Sequence, residues 1–356
     1  EDSEGGLCKV KLSEPIPPHE GAVVGMRKNV LHQLKPYPSK INMGDHQYLG
    51  WTGSIKTDLP FPVADYEFKF NCGTQIEYIN STALTVDGPQ ARIGPVELDS
   101  LSDDPVFIRF LGDYPLPVVR QLTRDIWVSH HGGSLSIQER YELSNGGAVL
   151  AEPFSRLQFM ISAQSQFPLN AMNSFDLALE PGVRGAYFVD DIGNVSTSNL
   201  HLEKDKSLWS IRPRYPLFGS WNYTFTIGWD SDLSNYLRVP YKAHHILQVP
   251  LIQGPDSFTY DNVSVNIFLP EGATDIKLSS PLPPLSEERF NHFWFLDSTG
   301  RPSISLTFSG LTDDDTQRLI YVEYDYTSIA LMQKPLMIFS VLMFLFAIAY
   351  GIKIDI

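Results

Sequence analysis

The residues best suited by type to catalysis are the adjacent pair His130-His131, which two glycines follow in the stretch WVSHHGGSLS, residues 127–136. Esterases build half of an oxyanion hole from a similar string, and their nucleophile lies in a Gly-X-Ser-X-Gly turn. This sequence contains no Gly-X-Ser-X-Gly. Strand-like segments flank the glycines, and glycine supplies the positive φ that tight turns require. We therefore predict a hairpin turn; a hydrolase would instead lose its activity when His130 is replaced.

Three other polar groups are candidates for binding ions. His244-His245 lacks a third ligand at useful spacing, and we interpret it as a surface pair. The run 313–315, all Asp, has oxygens suited to a divalent cation, but without EF-hand spacing it is interpreted as a solvated loop. Arg212 and Arg214 have the paired N–H groups that bind anions, although internal ion pairs explain such residues more often. The sequence thus predicts no catalytic, metal-binding or cofactor-binding residue.

Composition restricts the class of protein. Of 356 residues, 43% are hydrophobic, 12% aromatic and 19% charged, which is typical of a folded, strand-rich chain. The length exceeds what one compact core usually holds and predicts two folded units. The net charge of −14 argues against nucleic-acid binding, which needs Lys and Arg to neutralise phosphates. Cys8 and Cys72 are the two cysteines; they could form one disulfide in an oxidising compartment or remain two free thiols.

Four segments alternate apolar and polar side chains with a period of two, as half-buried antiparallel strands do. Their apolar positions are Tyr66, Phe68, Phe70 and Cys72; Val263, Val265, Ile267 and Leu269; Ile304, Leu306 and Phe308; and Ile320, Val322, Tyr324 and Tyr326. Helical periodicity is not evident before the C-terminus. Prolines 115 and 117 interrupt an apolar stretch and indicate a domain boundary. The pattern predicts antiparallel β-sandwiches.

The C-terminal run from Leu336 to Ile352 carries no charge. At 1.5 Å per residue it is just long enough to cross the hydrocarbon of a bilayer. Lys334-Pro335 is expected to end it on one side, and Lys353 and Asp355 on the other. A buried core helix is the alternative, but such a helix would normally show a polar face. We predict a transmembrane helix.

Four Asn-X-Ser/Thr sequons orient the chain. The candidate glycosylation sites are Asn80, Asn194, Asn222 and Asn262. Asn80 and Asn194 are expected to be exposed, whereas Asn222 and Asn262 lie beside predicted strands and are expected to be partly buried. Use of any sequon places the large N-terminal part in the secretory lumen. The opening EDSEGGLCKVKLSEP shows no signal peptide, so residues upstream are expected to be missing.

Several short strings resemble, in the same order, those of the ribophorin I family, subunit 1 of the eukaryotic oligosaccharyltransferase. They are KPYPSK (35–40), VSHHGG (128–133), GAVLAEPFSRLQF (147–159), DDIGNVSTSNL (190–200), IRPRYPLFGSWN (211–222), FLPEGA (268–273), LDSTGRP (296–302) and the Lys-Pro-Leu entry to the apolar run. His131 stands where the family usually has Trp. The resemblance covers residues from about 8 to the end.

The resemblance implies a mainly β protein with two antiparallel β-sandwich-like lumenal domains followed by one C-terminal transmembrane α-helix. The expected divisions are a first lumenal domain at 1–116 lacking its N-terminal strands, a second at 117–330, the helix at 334–352 and a short cytosolic tail at 353–356. The chain would lie in the endoplasmic reticulum membrane with its bulk lumenal and its C-terminus cytosolic.

The resemblance also implies a non-catalytic, accessory role in N-glycosylation at Asn-X-Ser/Thr, stabilising the complex and guiding acceptor polypeptide. Partners would be the multispanning catalytic subunit, small membrane subunits, nascent polypeptide and the translocon, with no nucleic acid. The chain itself would hold no cofactor; a divalent metal and the dolichyl-diphosphate-linked oligosaccharide would be bound by another subunit. The alternative from a different class is a single-span receptor ectodomain of the secretory pathway, which composition alone does not distinguish.

Overall fold

The computed structural model describes residues 3–4, 7–8, 21–57, 59, 62–164, 170–241, 243–294 and 297–351. For residues 3–4, 7–8 and 162–164 it describes only the backbone. The chain divides into two compact units, Glu1–Val30 and Leu31–Ile356. In the first unit, strands β1 (Ser3–Glu4) and β2 (Leu7–Cys8) pair antiparallel.

Residues 31–112 form two small antiparallel sheets. The strands of this region are β3 (Leu34–Pro36), β4 (Lys40–Ile41), β5 (Tyr48–Gly53), β6 (Tyr66–Asn71), β7 (Ile76–Ile79), β8 (Thr85–Asp87), β9 (Gln90–Val96) and β10 (Val106–Leu111). Strand β4 belongs to neither sheet and pairs with a strand further along the chain. One sheet has the order β3-β5-β10-β7 and the other β6-β9-β8. Their apolar faces meet in one core that includes Leu49, Ala91 and Ile108. At its rim the Trp51 and Phe70 rings lie 5.1 Å apart.

The strands from residue 117 onward build a larger sandwich. They are β11 (Pro117–Ser129), β12 (Ser134–Asn145), β13 (Val149–Leu150), β14 (Phe175–Leu179), β15 (Arg184–Asp190), β16 (Gly193–Asn194), β17 (Asn199–Leu202), β18 (Ser207–Ile211), β19 (Asn222–Asp232), β20 (Leu237–Tyr241), β21 (His244–Pro250), β22 (Thr259–Phe268), β23 (Thr274–Ser279), β24 (Ser286–His292), β25 (Arg301–Thr312) and β26 (Leu319–Asp325).

An eight-stranded sheet forms one layer of this sandwich, in the order β16-β15-β19-β12-β11-β22-β25-β24. Two smaller sheets, β14-β18-β17 and β20-β21-β26-β23, share its hydrophobic core. For example, Trp209 of β18 meets Trp229 of β19 edge to face, with ring centroids 6.2 Å apart. The short strand β13 pairs with β4, which joins the two sandwich regions by backbone hydrogen bonds.

The prediction of a mainly β protein is confirmed, because all four alternating segments are strands: β6, β22, β25 and β26. Their predicted inward positions are buried in β22, β25 and β26 and half-buried in β6. Most strand pairings are antiparallel, as predicted, and two are parallel: β11 with β22 and β4 with β13. The division into domains at residue 116 stays a prediction.

Two α-helices and three short 3₁₀ turns complete the described chain. The turns are Leu98–Ser100, Leu233–Asn235 and Asp313–Gln317. Helix α1 (Arg156–Gln164) was not expected, since its apolar residues follow no clear helical period. Helix α2 (Ser328–Gly351) begins upstream of the predicted start at Lys334, and Pro335 lies inside it.

Helix α2 starts early because Thr327 caps it. The Thr327 hydroxyl accepts a hydrogen bond from the backbone N–H of Ala330 at 3.2 Å, which satisfies one of the unpaired donors of the first turn. Pro335 falls in the second turn and removes one helical hydrogen bond without ending the helix. The apolar window of α2 is long enough to cross a membrane, and none of it is buried inside the structure. The buried-core alternative is therefore wrong.

Candidate functional site

The His130-His131 stretch is a hairpin turn, as predicted. Ser129 of β11 pairs with Ser134 of β12, and Gly133 between them has φ of 58°. Both histidines lie in the turn itself, so they do not alternate as strand residues would. His131 is exposed, whereas His130 is half-buried.

His130 belongs to a cluster of rings. Its Nε2 lies 2.8 Å from the Tyr324 hydroxyl, and its ring lies 4.6 Å from Tyr326 and 4.9 Å from His245. Burial, with smaller contributions from His245 and His131, lowers the pKa of His130 to about 4. The ring is therefore neutral at pH 7 and packs as an aromatic side chain.

The other polar groups also make structural contacts. His244 is half-buried and its Nδ1 lies 2.8 Å from Asp325 Oδ1, so the surface-pair interpretation was wrong. Arg214 donates two hydrogen bonds of 2.7 and 3.0 Å to Asp190, which confirms the predicted ion pair for Arg214, whereas Arg212 is exposed. These bonds outweigh burial and lower the pKa of Asp190 to about 2. Asp315 is buried in a 3₁₀ turn and bonds the Thr312 backbone at 2.9 Å, so for this residue the solvated-loop interpretation was wrong.

All four sequon asparagines are exposed: Asn80, Asn194, Asn222 and Asn262. The expectation of partial burial for Asn222 and Asn262 was therefore wrong, because both point away from the core although they lie in β19 and β22. Asn80 Oδ1 accepts a hydrogen bond from the Phe107 backbone at 2.8 Å, and Asn262 Nδ2 donates to the Arg120 carbonyl at 3.3 Å. Glycosylation at these positions stays a prediction.

Cys72 is a half-buried free thiol in the structure. Its Sγ donates to the carbonyls of Thr74 at 3.0 Å and Pro89 at 3.3 Å. The side chain of Cys8 lies outside the described residues, so the disulfide between Cys8 and Cys72 stays a prediction.

The strongest polar constellation lies where α2 leaves the larger sandwich. Strands β11 and β22 run parallel, so their C-terminal ends lie side by side at one end of the eight-stranded sheet. Strand β24 also ends there, and β25 begins there. Glu271 follows β22, and Asp297 lies between β24 and β25. The first turns of α2 bring Gln333 and Lys334 to the same place. We call this group the helix-root cluster: Glu271, Asp297, Ser298, Thr299, Gln333 and Lys334.

Glu271 is the first of two buried carboxylates in the helix-root cluster, with 3% of its side chain exposed. Its Oε1 accepts hydrogen bonds from the backbone N–H groups of Ser298 at 2.7 Å and Thr299 at 2.6 Å, and from both hydroxyls. Its Oε2 faces Lys334 Nζ at 3.9 Å. Burial alone would raise the pKa of Glu271, but these hydrogen bonds outweigh it and lower the pKa.

Asp297 is the second buried carboxylate of the helix-root cluster, and its side chain is 0% exposed. Lys334 Nζ donates to Oδ1, while Arg301 Nε lies 3.2 Å from Oδ2 and the Trp294 backbone N–H donates to Oδ2 at 2.8 Å. Burial would raise the pKa of Asp297, but the bonds from Lys334 and Trp294 outweigh it and lower the pKa. Gln333 adds a 2.9 Å hydrogen bond to Ser298 Oγ.

This arrangement joins a helix to a sheet. Both carboxylates are ionised at neutral pH and hold one ammonium from α2, and breaking such a buried pair costs several kcal/mol. Within the described residues, no group of three or more His, Cys, Asp or Glu is placed to hold a metal. The sequence analysis missed the cluster, since Glu271 and Asp297 belong to loops that only the strand order brings together. Their sole sequence signal is that both lie in strings, FLPEGA and LDSTGRP, that resemble family motifs.

The fold and the site define a class of protein: a β-sandwich chain whose buried polar groups bind the first turns of one exposed apolar helix. The sequence matches the family model described as Ribophorin I across residues 1–353. The chain belongs to the ribophorin I family, which confirms the resemblance found in its motifs.

Named relatives agree with the family match. The chain is 30% identical over 358 residues to "Dolichyl-diphosphooligosaccharide--protein glycosyltransferase subunit 1B" of Arabidopsis thaliana, covering 98% of this chain and 75% of the relative. It is 28% identical to the protein of the same name from Oryza sativa subsp. japonica, with 96% and 72% covered. It is 24% identical to subunit 1 of Schizosaccharomyces pombe, with 96% and 78% covered.

Solved structures show only a weak likeness. Native leukotriene A4 hydrolase from Saccharomyces cerevisiae overlaps 58% of this chain and 29% of its own, with a TM-score of 0.34 and 12% identity. The chain therefore spans less than a third of that enzyme, and the overlap is too small to indicate a shared fold or function.

Proposed function

We propose that this chain is a non-catalytic, structural subunit of the oligosaccharyltransferase complex, which glycosylates nascent proteins at Asn-X-Ser/Thr in the endoplasmic reticulum. Family membership supports a place in that complex, because relatives 24% and 30% identical carry the name of its subunit 1. The sandwich regions lie in the lumen, α2 crosses the membrane and the residues after Gly351 reach the cytosol. The metal and the lipid-linked oligosaccharide are bound by the multispanning catalytic subunit.

The helix-root cluster is the observation that carries the structural role. A flexible linker would let a lumenal domain swing freely about its anchor, whereas Lys334 and Gln333 tie α2 to buried groups of the sandwich. The sandwich is thus held at a fixed angle to α2. Such a subunit can position the lumenal parts of its partners, and an extended acceptor polypeptide from the translocon, relative to a membrane-embedded reaction centre.

Helix α2 offers a face for neighbouring spans. Small residues let membrane helices approach closely, and Ser340, Ala347 and Gly351 recur at helical spacing on one face of α2, whereas Ala349 lies on the opposite face. The Ser340 hydroxyl donates to the Leu336 carbonyl at 2.8 Å, so its polar group is satisfied within the helix. This leaves the face free for van der Waals packing against helices of small membrane subunits and of the catalytic subunit.

The proposal is tested by affinity purification of the tagged chain in mild detergent, together with a reporter glycoprotein. Lys334→Met removes the ammonium from two buried carboxylates, and we expect it to lower recovery of the multispanning subunit and to leave the reporter underglycosylated. Lys334→Arg keeps the charge and is expected to retain most of both. The matched control is Lys204→Met at an exposed position, with no expected effect.

Two outcomes would contradict the proposal. One is a wild-type chain that purifies as a stable monomer while reporter glycosylation is unchanged by its depletion, which would favour a receptor-type ectodomain. The other is transfer of oligosaccharide to an acceptor peptide by the isolated chain, which would place the chemistry in this subunit.

A further inference from the structure

Two large aromatic side chains stand exposed beside the helix-root cluster. Phe293 is 63% exposed and Trp294 is 60% exposed, immediately after β24 ends at His292. Aromatic side chains of this size bury more apolar area than any other kind when they find a partner. Adjacent exposed aromatic residues therefore indicate a surface that contacts something apolar.

The positions of both rings are fixed by the fold. The Trp294 ring lies 5.4 Å from Trp127 and 5.9 Å from His292, and its backbone N–H is bonded to Asp297. The Phe293 ring lies over Gly300, where an added Cβ would come within 3.1 Å of it. The two side chains are thus held in place on one side and left uncovered on the other.

Their location follows from the chain of contacts to α2. Trp294 bonds Asp297, and Asp297 bonds Lys334, the last charged residue before the apolar run. The Trp294 backbone therefore lies close to the Lys334 ammonium, and Phe293 is next to it in the chain. Both residues lie at the end of the eight-stranded sheet where β11 and β22 also end.

The length of the apolar run places the bilayer surface close to Lys334. From Leu336 to Ile352 the run extends about 25 Å at 1.5 Å per residue, which is short of the roughly 30 Å of hydrocarbon. Upstream of Lys334, Ile329 and Met332 are apolar and exposed on the helix. A bilayer that covers the whole run must then reach the first turns of α2, beside Trp294.

We propose that Phe293 and Trp294 insert into the interfacial layer of the membrane next to α2 and form a second lipid contact. Trp suits this layer, because its ring is apolar and its indole N–H bonds to headgroups or water. The occupant is phospholipid and not a protein partner. This inference rests on α2 as a membrane span, but it does not depend on the proposed role in glycosylation.

A second contact has a mechanical effect that one helix cannot provide. The tilt of a single span in a bilayer ranges over roughly 0–40° and is set by its neighbours and its interfacial anchors. An aromatic anchor to one side of α2 restricts the tilt of the sandwich toward and away from the membrane plane. The helix-root cluster fixes the sandwich to α2, and the two aromatic residues fix it to the lipid surface.

The test uses the full chain reconstituted in phosphatidylcholine vesicles, with and without bromine on the acyl chains. The sequence has six Trp residues, so the signal of Trp294 is the difference between wild type and Trp294→Phe. We expect this difference emission to be quenched by brominated lipid and protected from acrylamide. Trp51→Phe, in the smaller sandwich, is the matched control, and its difference emission is expected to be insensitive to brominated lipid.

The measurements distinguish insertion of α2 into the bilayer from contact of Phe293 and Trp294 with lipid. Flotation after an alkaline wash reports whether α2 is inserted, and circular dichroism reports whether each variant is folded. If the chain floats but its Trp294 emission is quenched by acrylamide and not by brominated lipid, the inference is overturned. The assignment of α2 as a membrane span is then unaffected. Protection of Trp294 only when other subunits are present would show a protein partner there, and it would also overturn the inference. A chain that does not float overturns the span and the inference together.

Discussion

His130 shows how a residue with catalytic potential can have a structural role. Its imidazole lies against Tyr326 and bonds the Tyr324 hydroxyl at 2.8 Å. Burial lowers the pKa of His130 to about 4 and, to a smaller extent, also lowers the pKa of the neighbouring His245. Both rings are therefore held neutral by folding.

The lowered pKa of His130 predicts a loss of stability in mild acid. The unfolded chain takes up a proton near pH 6.5, whereas the folded chain takes it up only near pH 4, so stability is lost as pH falls between these values. Allowing for partial exposure of the ring, the loss is about 1–2 kcal/mol. Urea unfolding of the vesicle-bound chain at pH 7 and 4.5 measures it. His130→Phe should flatten this dependence, whereas His201→Ala at an exposed position should not.

Asn194 predicts a modification at the residue scale. It is exposed and lies in β16 at the edge of the eight-stranded sheet, where a glycan meets no neighbouring strand on one side. We expect the chain made in eukaryotic cells to lose one glycan in Asn194→Gln, seen as faster gel migration. Ser196→Ala should give the same shift and Ser196→Thr none, since Thr preserves the sequon. Identical migration of all variants would show that this sequon is unused.

At the scale of elements, the contact between the β22–β23 turn and α2 is tight. Gly272 has φ of 87°, and an added Cβ would lie 2.9 Å from the Ala330 Cβ. Gly272→Ala should therefore strain the turn and push away the first turn of α2, at a cost of about 1–3 kcal/mol. Thermal unfolding measures the loss. Gly133→Ala, at positive φ but with open space around it, is the control for backbone strain alone and should cost less.

The sequence predicts elements better than their partners. Alternation in β22, β25 and β26 is visible, because one face of each strand is buried against a single core. The parallel pairing of β11 with β22 is not visible, since it joins residues 141 positions apart, such as Asp125 and Asn266. The helix-root cluster depends on that pairing, and for this reason neither of its carboxylates was identified from the sequence.

For the whole molecule, a charged pair lies inside the larger core. Arg124 of β11 and Glu139 of β12 form an ion pair with both side chains 0% exposed. The Tyr141 hydroxyl donates to Glu139 Oε2 at 2.7 Å, and Arg124 Nη2 donates to Gln253 at 3.3 Å. No periodic pattern indicates such a pair, because both residues occupy positions where alternation predicts an apolar side chain.

Breaking this pair should destabilise the whole sandwich. Glu139→Gln leaves a buried guanidinium without its counter-charge, and we expect a loss of about 3–5 kcal/mol in the free energy of unfolding. Replacing both partners, as Arg124→Met with Glu139→Leu, should recover much of the loss. Asp232→Asn, which breaks the exposed pair with Arg184, should cost less than about 1 kcal/mol. Equal losses in the buried and exposed variants would contradict the assignment.

Helix α2 continues without a break from its apolar part into the helix-root cluster, so it can transmit movement to the sandwich. On the proposed arrangement in the membrane, a sideways push on α2 within the lipid passes through Pro335 and Lys334 to the sandwich, and the eight-stranded sheet moves with the helix. Movement of α2 within the hydrocarbon and movement of the sandwich above the bilayer are then coupled, while the internal structure of the sandwich stays the same.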